Sequence, residues 1–298
     1  MNLMMLLEMA TQVAGDRVAF GTREDGLTYQ GLFDRAGGAA RGLQEAEAGT
    51  LAFVGLATDA FPTAVFASSW AGIPLAPLNF RLSDEQLAPL LDRLDRPLVV
   101  ADPAFVDRLR ALGADVVPDD EWIVAAEAAE PAEPWAMDPM AVALLLFTSG
   151  TTAEPKAAVL RHEHLCSYVL GSVEFAAADA DAAALVSVPP YHIAGVSNVV
   201  SNVYSTRRVV LLPQFDPDEW LATARAEAVT HALVVPTMLA RVVDHLGADG
   251  EAHLPALRSL AYGGAPMPVT VLERALAAFG DTDFVNAYGL TETSSTIA

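Results

Sequence analysis

Residues 148–156, Thr-Ser-Gly-Thr-Thr-Ala-Glu-Pro-Lys, place four hydroxyls, one glycine and one cation between two apolar runs, 143–147 and 157–160. Small side chains, exposed backbone N–H groups, hydroxyls and a flexible point charge are what a loop needs to wrap a polyphosphate. Lys156 is the only lysine among the 17 basic residues, the rest being arginine. An ammonium on a long stem suits a phosphate as a point charge. The competing reading is a plain Ser/Thr-rich turn between two strands.

Three more polar or glycine-rich segments follow apolar runs: Pro189-Pro190-Tyr191-His192-Ile193-Ala194-Gly195, Gly263-Gly264-Ala265-Pro266-Met267-Pro268, and 286–293, which contains Asn286, Tyr288, Gly289, Thr291 and Glu292. In a parallel sheet the loops after strand C-termini share one edge, where ligands bind. Four such segments predict a composite site. Each residue also has a bland reading. His192 could be a satisfied structural histidine and Tyr288 plain core. Glu292 could be a helix-start acid, since first turns favour carboxylates. His162, His164 and Cys166 offer metal-ligand types, but histidines two apart on a helix face different ways, so no zinc site is expected there.

The elements that would position these segments alternate strand and helix. A short hairpin around 24–26 is followed by a helix over 29–46, strand 51–56, helix 61–71 and strand 73–78. Ser83 with Gln86 three residues on signals a capped helix over 84–94. Strand 98–101, helix 104–112 and strand 115–117 close a first series. Residues 118–139 are rich in Pro, Ala and acids and read as a linker, with 119–133 solvated. A second series follows to strand 283–287. The fold class is α/β: two βα-type subdomains, residues 1–135 and 136–298, with largely parallel sheets flanked by helices and the ligand site at the strand C-terminal edges.

The chain has 298 residues, 53% hydrophobic and 18% charged, with net charge −21. A core of that size excludes disorder. The acidity disfavours nucleic acid and anionic membranes as partners, and obliges an anionic ligand to be met by local features. Cys166 is the sole cysteine, so no intrachain disulfide can form. No apolar run approaches the ~18 residues of a membrane span, and residues 1–10 lack a basic leader, reading as an amphipathic helix. A soluble cytoplasmic protein is expected, with self-association into a homo-oligomer allowed.

The first loop is not a Walker A motif, because Gly150 is followed by Pro155-Lys156-Ala157, without the second glycine and hydroxyl. It closely resembles the phosphate loop of the adenylate-forming superfamily, Thr-Ser-Gly-Thr-Thr-Gly-x-Pro-Lys-Gly, and the other three segments resemble that superfamily's in the same order. The resemblance covers essentially the whole chain, with Pro77-Leu78-Asn79 adding a weaker match. It implies an acyl-CoA ligase acting on ATP, with Mg²⁺ and coenzyme A: a carboxylate attacks the α-phosphate, pyrophosphate leaves, and CoA displaces AMP. It assigns Thr148, Ser149, Gly150, Thr151, Thr152 and Lys156 to the phosphates. Gly263, Gly264, Ala265, Asn286, Tyr288 and Gly289 fall along the adenine and acyl group. Thr291 falls at the α-phosphate and Glu292 at Mg²⁺. His192, Val196, Ser197, Val235 and Gly264 would border the acyl pocket. No Asp lies in 193–198, which disfavours an amino acid and favours an apolar organic or fatty acid as the small-molecule partner.

Two departures bear on activity. Ala153 and Ala157 replace glycines of the superfamily loop. If those glycines adopt positive φ, alanine adds strain of order 1–3 kcal/mol, enough to slow adenylation ~10–100-fold. The chain also stops after Glu292, before the superfamily's ribose-binding Asp, hinge and C-terminal lid-domain lysine. Weak turnover by residues 1–298 alone is therefore expected. Two alternatives stay open: a relative performing only thioesterification of a preformed acyl-adenylate, and a silent adenylate-binding module.

Overall fold

The computed structural model describes residues 1–148, 156–248, 250–291 and the backbone of 295–296. A seven-stranded sheet runs in the order β13 (Asp283–Ala287), β12 (Ser259–Gly263), β11 (His231–Val234), β9 (Ala183–Val186), β10 (Arg208–Leu211), β1 (Val18–Phe20), β2 (Leu27–Thr28). A six-stranded sheet runs β6 (Asp115–Pro118), β5 (Pro97–Ala101), β3 (Thr50–Val54), β4 (Leu75–Pro77), β7 (Val142–Thr148), β8 (Lys156–Arg161). Pairing is parallel except for the terminal hairpins β1–β2 and β7–β8. A short antiparallel pair joins β14 (Gly289–Leu290) to β15 (Ser295–Thr296).

Apolar runs became strands where both sheet faces are covered: every residue of β3 is buried. The helices start where the sequence offers caps. Asn2 accepts the Met4 N–H at 2.9 Å to open α1 (Leu3–Ala14), and Thr28 accepts the Gly31 N–H at 3.0 Å to open α2 (Tyr29–Glu45). Ser83 and Gln86 form a reciprocal capping box at α4 (Asp84–Leu91), which stops three residues short of the expected end at Leu94. The largest buried cluster runs from Phe53 and Leu146 of one sheet to Val186 and Val209 of the other. Among the described residues no helix is long and apolar enough to cross a membrane.

Sheet membership does not follow the chain. The β1–β2 hairpin extends the sheet built by the second half, and β7–β8 extends the sheet built by the first. A cut at residue 135 is therefore not a division between the sheets. Strand order depends on long-range pairing, which local periodicity does not encode.

The expected linker is structure. Residues 119–128 form α6 (Asp119–Ala128), with Trp122 and Ala126 buried against α2. The segment after it docks too. Ala132 donates to the Gly37 carbonyl at 3.0 Å, Arg41 donates to the Glu130 and Pro131 carbonyls, and Trp135 meets Trp70 edge-on at 4.9 Å. The acids at 119–121 sit in the first turn of α6, where the helix dipole favours negative charge. Acid and alanine content thus misled; the Trp122/Ala126 spacing was the helical signal.

Asp119 is only 8% exposed. Burial, with Asp102, Asp120 and Asp59 nearby, pushes its carboxyl up to about 6. A carboxyl raised in the folded state contributes stability that is complete below the unfolded value near 3.8 and lost as pH rises through about 6. Asp119→Asn is therefore expected to stabilise the protein at pH 7.5 by about 1 kcal/mol, after discounting for screening and for the lost helix-dipole contribution. Urea midpoints at pH 4 and 7.5 check this; an equal shift at both would rule out the buried charge as the cause.

The histidine–cysteine run is occupied structurally. His162 is buried, held near 4 by burial and the amino terminus, and its Nδ1 accepts the Leu3 N–H at 3.4 Å. The His164 Nδ1 accepts the Arg161 N–H at 3.2 Å. Cys166 is buried, its thiol pushed up to about 11.

Candidate functional site

The β7–β8 hairpin carries the lysine loop. Register places Thr148 opposite Lys156 and Phe147 opposite Ala157. Lys156 is exposed, so its ammonium reaches solvent on the strand end that pairs with Thr148. Residues 149–155, including Ser149, Gly150, Thr151, Thr152 and Ala153, lie outside the described residues, as does Glu292. Ala157 is an ordinary strand residue. Among the described residues, positive φ at non-glycine positions occurs at Glu47, Arg96, Ala176, Thr206, Ala228 and His253, and not at Ala157. The strain expected from an alanine there is absent, because antiparallel pairing with Phe147 holds it in extended backbone.

The other three segments follow β9, β12 and β13 of the seven-stranded sheet, whereas the lysine loop belongs to the six-stranded one. The single shared edge expected from the sequence is instead two edges facing one space. A cavity of about 800 Å³ is lined by Asn79, Phe147 and Thr148 from the six-stranded side and by Tyr191, His192 and Thr291 from the other. Asn79 accepts the Arg81 N–H at 3.0 Å, shaping the turn into α4. A second hollow, about 590 Å³ around Arg96 and Asp115, lies at the opposite end of β5 and β6, away from all four segments.

An aromatic row bridges the two sides. Phe105 stacks on Phe80 at 5.2 Å, Phe80 meets Tyr191 edge-on at 5.7 Å, and Tyr191 lies 4.7 Å from the His192 ring. Arg81 sits over Phe80 at 5.4 Å, and its charge partly offsets the burial that raises the Tyr191 phenol. His192 precedes α8 (Ile193–Tyr204), with its N–H donated to the Pro189 carbonyl at 3.2 Å. Surrounding protein first, and Arg81 second, hold the imidazole below its ordinary value, although its edge reaches solvent. At neutral pH it is an uncharged acceptor and apolar wall, not a counter-ion for a carboxylate.

Gly263 ends β12 opposite Ala287 of β13. A Cβ on Gly263 would lie 2.1 Å from the Ala287 carbonyl oxygen, and Gly264 has φ +82°, so both positions require glycine. Ala265 is exposed beyond them, and Asn286 pairs with Tyr262. Tyr288 is 61% exposed, an unusual state for a large ring and a fit for a stacking face, with Gly289 following in β14. Val235 Cγ1 lies 3.7 Å from where a Gly264 Cβ would be, while Val196 and Ser197 are buried within α8. The structure thus brings Thr148, His192 and Thr291 to one cavity with Lys156 at Thr148's side. It places Gly263, Gly264, Asn286 and Tyr288 on adjacent strand ends, and Val196 and Ser197 in the core. Sequence reasoning missed Arg93 and Phe147, which also line the cavity. They are 54 positions apart, and no short-range pattern links them.

Hydroxyls, one ammonium, a glycine turn and an exposed ring thus lie at strand ends of a two-sheet α/β fold. The chain matches the AMP-binding enzyme family over residues 7–298. It belongs to that family. It is 34% identical over 280 residues to a feruloyl-CoA synthase of Amycolatopsis sp, covering 89% of this chain and 54% of the relative. A 2-succinylbenzoate–CoA ligase of Bacillus cytotoxicus is 28% identical over 296 residues, covering 95% and 57%. The fold superposes on the o-succinylbenzoate CoA synthetase of Bacillus subtilis in complex with ATP and magnesium ion, with TM-score 0.85 and 26% identity, covering 98% of this chain and 61% of that one. The chain spans about half the length of the curated relatives it matches.

Proposed function

We propose that this chain forms the nucleotide- and acyl-binding portion of an ATP-dependent, AMP-forming acid–thiol ligase acting on an apolar or aromatic carboxylic acid. The observation that carries it is the convergence of Thr148, His192 and Thr291, from three separate strand ends and both sheets, on one cavity. In this reading a carboxylate oxygen attacks the α-phosphorus of ATP and the bond to pyrophosphate breaks. The CoA sulfur then attacks the acyl carbon and AMP leaves with the bond's electrons. Lys156 and Thr148 hold the β- and γ-phosphates, Thr291 the α-phosphate, and Tyr288 stacks on adenine. Glu292 would hold Mg²⁺, which offsets phosphate charge when bound. Neutral His192 and the apolar Phe147, Tyr191 and Ile193 walls position the acyl group and exclude water. The named substrates of the relatives, ferulate and 2-succinylbenzoate, support an aryl acid.

The test is equilibrium titration of residues 1–298 with MgATP and with sulfamoyl-adenosine mimics of aryl, octanoyl and aminoacyl adenylates. The aryl mimic is expected to bind at least 100-fold tighter than MgATP, as intermediate mimics do. Binding of neither MgATP nor any mimic overturns the proposal; preference for the aminoacyl mimic overturns the substrate class.

A further inference from the structure

Tyr191 and His192 line the cavity from the seven-stranded side, yet the contacts that hold their rings come from the other side. The His192 side chain makes no capping hydrogen bond to α8, and the ring packed beside its imidazole is that of Tyr191, 4.7 Å away. Tyr191 in turn meets Phe80 edge-on at 5.7 Å. Phe80 is not among the residues that line the cavity; it stands behind Tyr191, in the turn between β4 and α4. That turn is gripped by α5 (Pro103–Ala111). Phe105 stacks on the Phe80 ring at 5.2 Å. Arg108 donates to the Phe80 carbonyl at 2.9 Å and to the Leu82 carbonyl, and pairs with Asp84 at 2.7 Å. Residues three apart share a helix face, so the Phe105 ring and the Arg108 guanidinium hold the same turn.

We propose that Phe80 is a positioning residue: gripped by α5, it fixes the Tyr191 ring, and through it the His192 imidazole, against the acyl group. Stacked and edge-on aromatic contacts have preferred geometries and add to plain burial, so a ring at position 80 orients its neighbour as well as filling space. Leucine there keeps apolar volume but loses the edge-to-face contact, which leaves Tyr191 and His192 several orientations. An acyl ring binds best to a wall already in its bound geometry. The adenosine and phosphates of AMP are met by other segments and do not read that wall. The row crosses between the sheets, so the six-stranded side sets the shape of a wall carried by the seven-stranded side. This inference rests on the ligase reading, in which His192 borders the acyl group.

Wild-type residues 1–298 and the variants Phe80→Leu, Phe80→Tyr and Phe105→Leu are titrated with the aryl sulfamoyl-adenosine mimic and, separately, with AMP. The ring-proton resonances of His192, assigned by their loss in His192→Gln, are followed in the same samples. Phe80→Leu is expected to weaken the mimic about fivefold, leave AMP within about twofold and move the His192 resonances. Phe80→Tyr, which keeps the ring, is expected to restore all three. Phe105→Leu removes the backing of Phe80 and should show the same selectivity at a smaller size, about twofold. Equal losses for mimic and AMP, or a lower melting temperature with both affinities unchanged, overturn the inference and leave the ligase reading standing. A selective loss with the His192 resonances unmoved also overturns it, since the effect would not pass through that ring. Wild type that binds neither ligand overturns the ligase reading and this inference with it.

Discussion

Lys156→Ala is expected to weaken MgATP binding about 10–100-fold while leaving AMP within about twofold, since hydrogen bonds to charged groups contribute about 1.5–3 kcal/mol. Lys156 is fixed opposite Thr148 in the β7–β8 register and is exposed, so its removal disturbs no packing. In the proposed assignment its stem lets the ammonium follow the β- and γ-phosphates, which AMP lacks. With 38 acidic side chains against 17 basic ones, the chain supplies no diffuse positive field to replace it. Lys156→Arg keeps the charge but changes a point cation to a planar fork, and an intermediate loss is expected. Titration calorimetry with both nucleotides decides the matter. Equal losses for MgATP and AMP would falsify the β/γ-phosphate assignment.

The second large effect concerns the segment that looked like a linker. Two glycines in the middle of α2 cost the helix about 1 kcal/mol each relative to alanine, so their presence needs a cause. A Cβ on Gly38 would lie 2.0 Å from the Ala126 carbonyl oxygen, and one on Gly37 would lie 2.9 Å from Pro131 Cβ and 3.0 Å from the Trp70 ring. Backbone atoms of α6 cannot move aside cheaply. Gly38→Ala is therefore expected to destabilise by about 1–3 kcal/mol despite its better helix propensity. Gly42→Ala, in the same helix with no atom within 4 Å of the new methyl, should stabilise by about 0.5–1 kcal/mol. Denaturant midpoints of the two variants should move in opposite directions. Movement in the same direction would mean that α6 does not hold its place on α2.

Both expectations depend on which residues face one another, and that is where sequence and structure part. The sequence by itself determined the local features. Caps at Asn2, Thr28 and Ser83 and the apolar runs that became β3 and β7 follow from side-chain chemistry a few residues apart. It also showed a glycine-rich segment at 263–268 after an apolar run, whereas the close approach of Ala287 and the positive φ that make Gly263 and Gly264 obligatory came from the structure. The tertiary structure decided the rest. It assigned the β1–β2 and β7–β8 hairpins to sheets distant in sequence, turned 119–128 into a packed helix, and put Ala157 in extended backbone where no strain arises. It set the lysine loop on one sheet and the other three segments on the second, so that the cavity is a space between sheets. It also brought Arg93 over Phe147. The physical reason is common to all of these. Capping, turn geometry and periodicity act over one or two turns of chain and leave a local mark in the sequence. Sheet order and the contacts of Gly38, Ala157 and Arg93 are set by the burial of shared apolar surface between segments tens of residues apart, which leaves no mark at any single position.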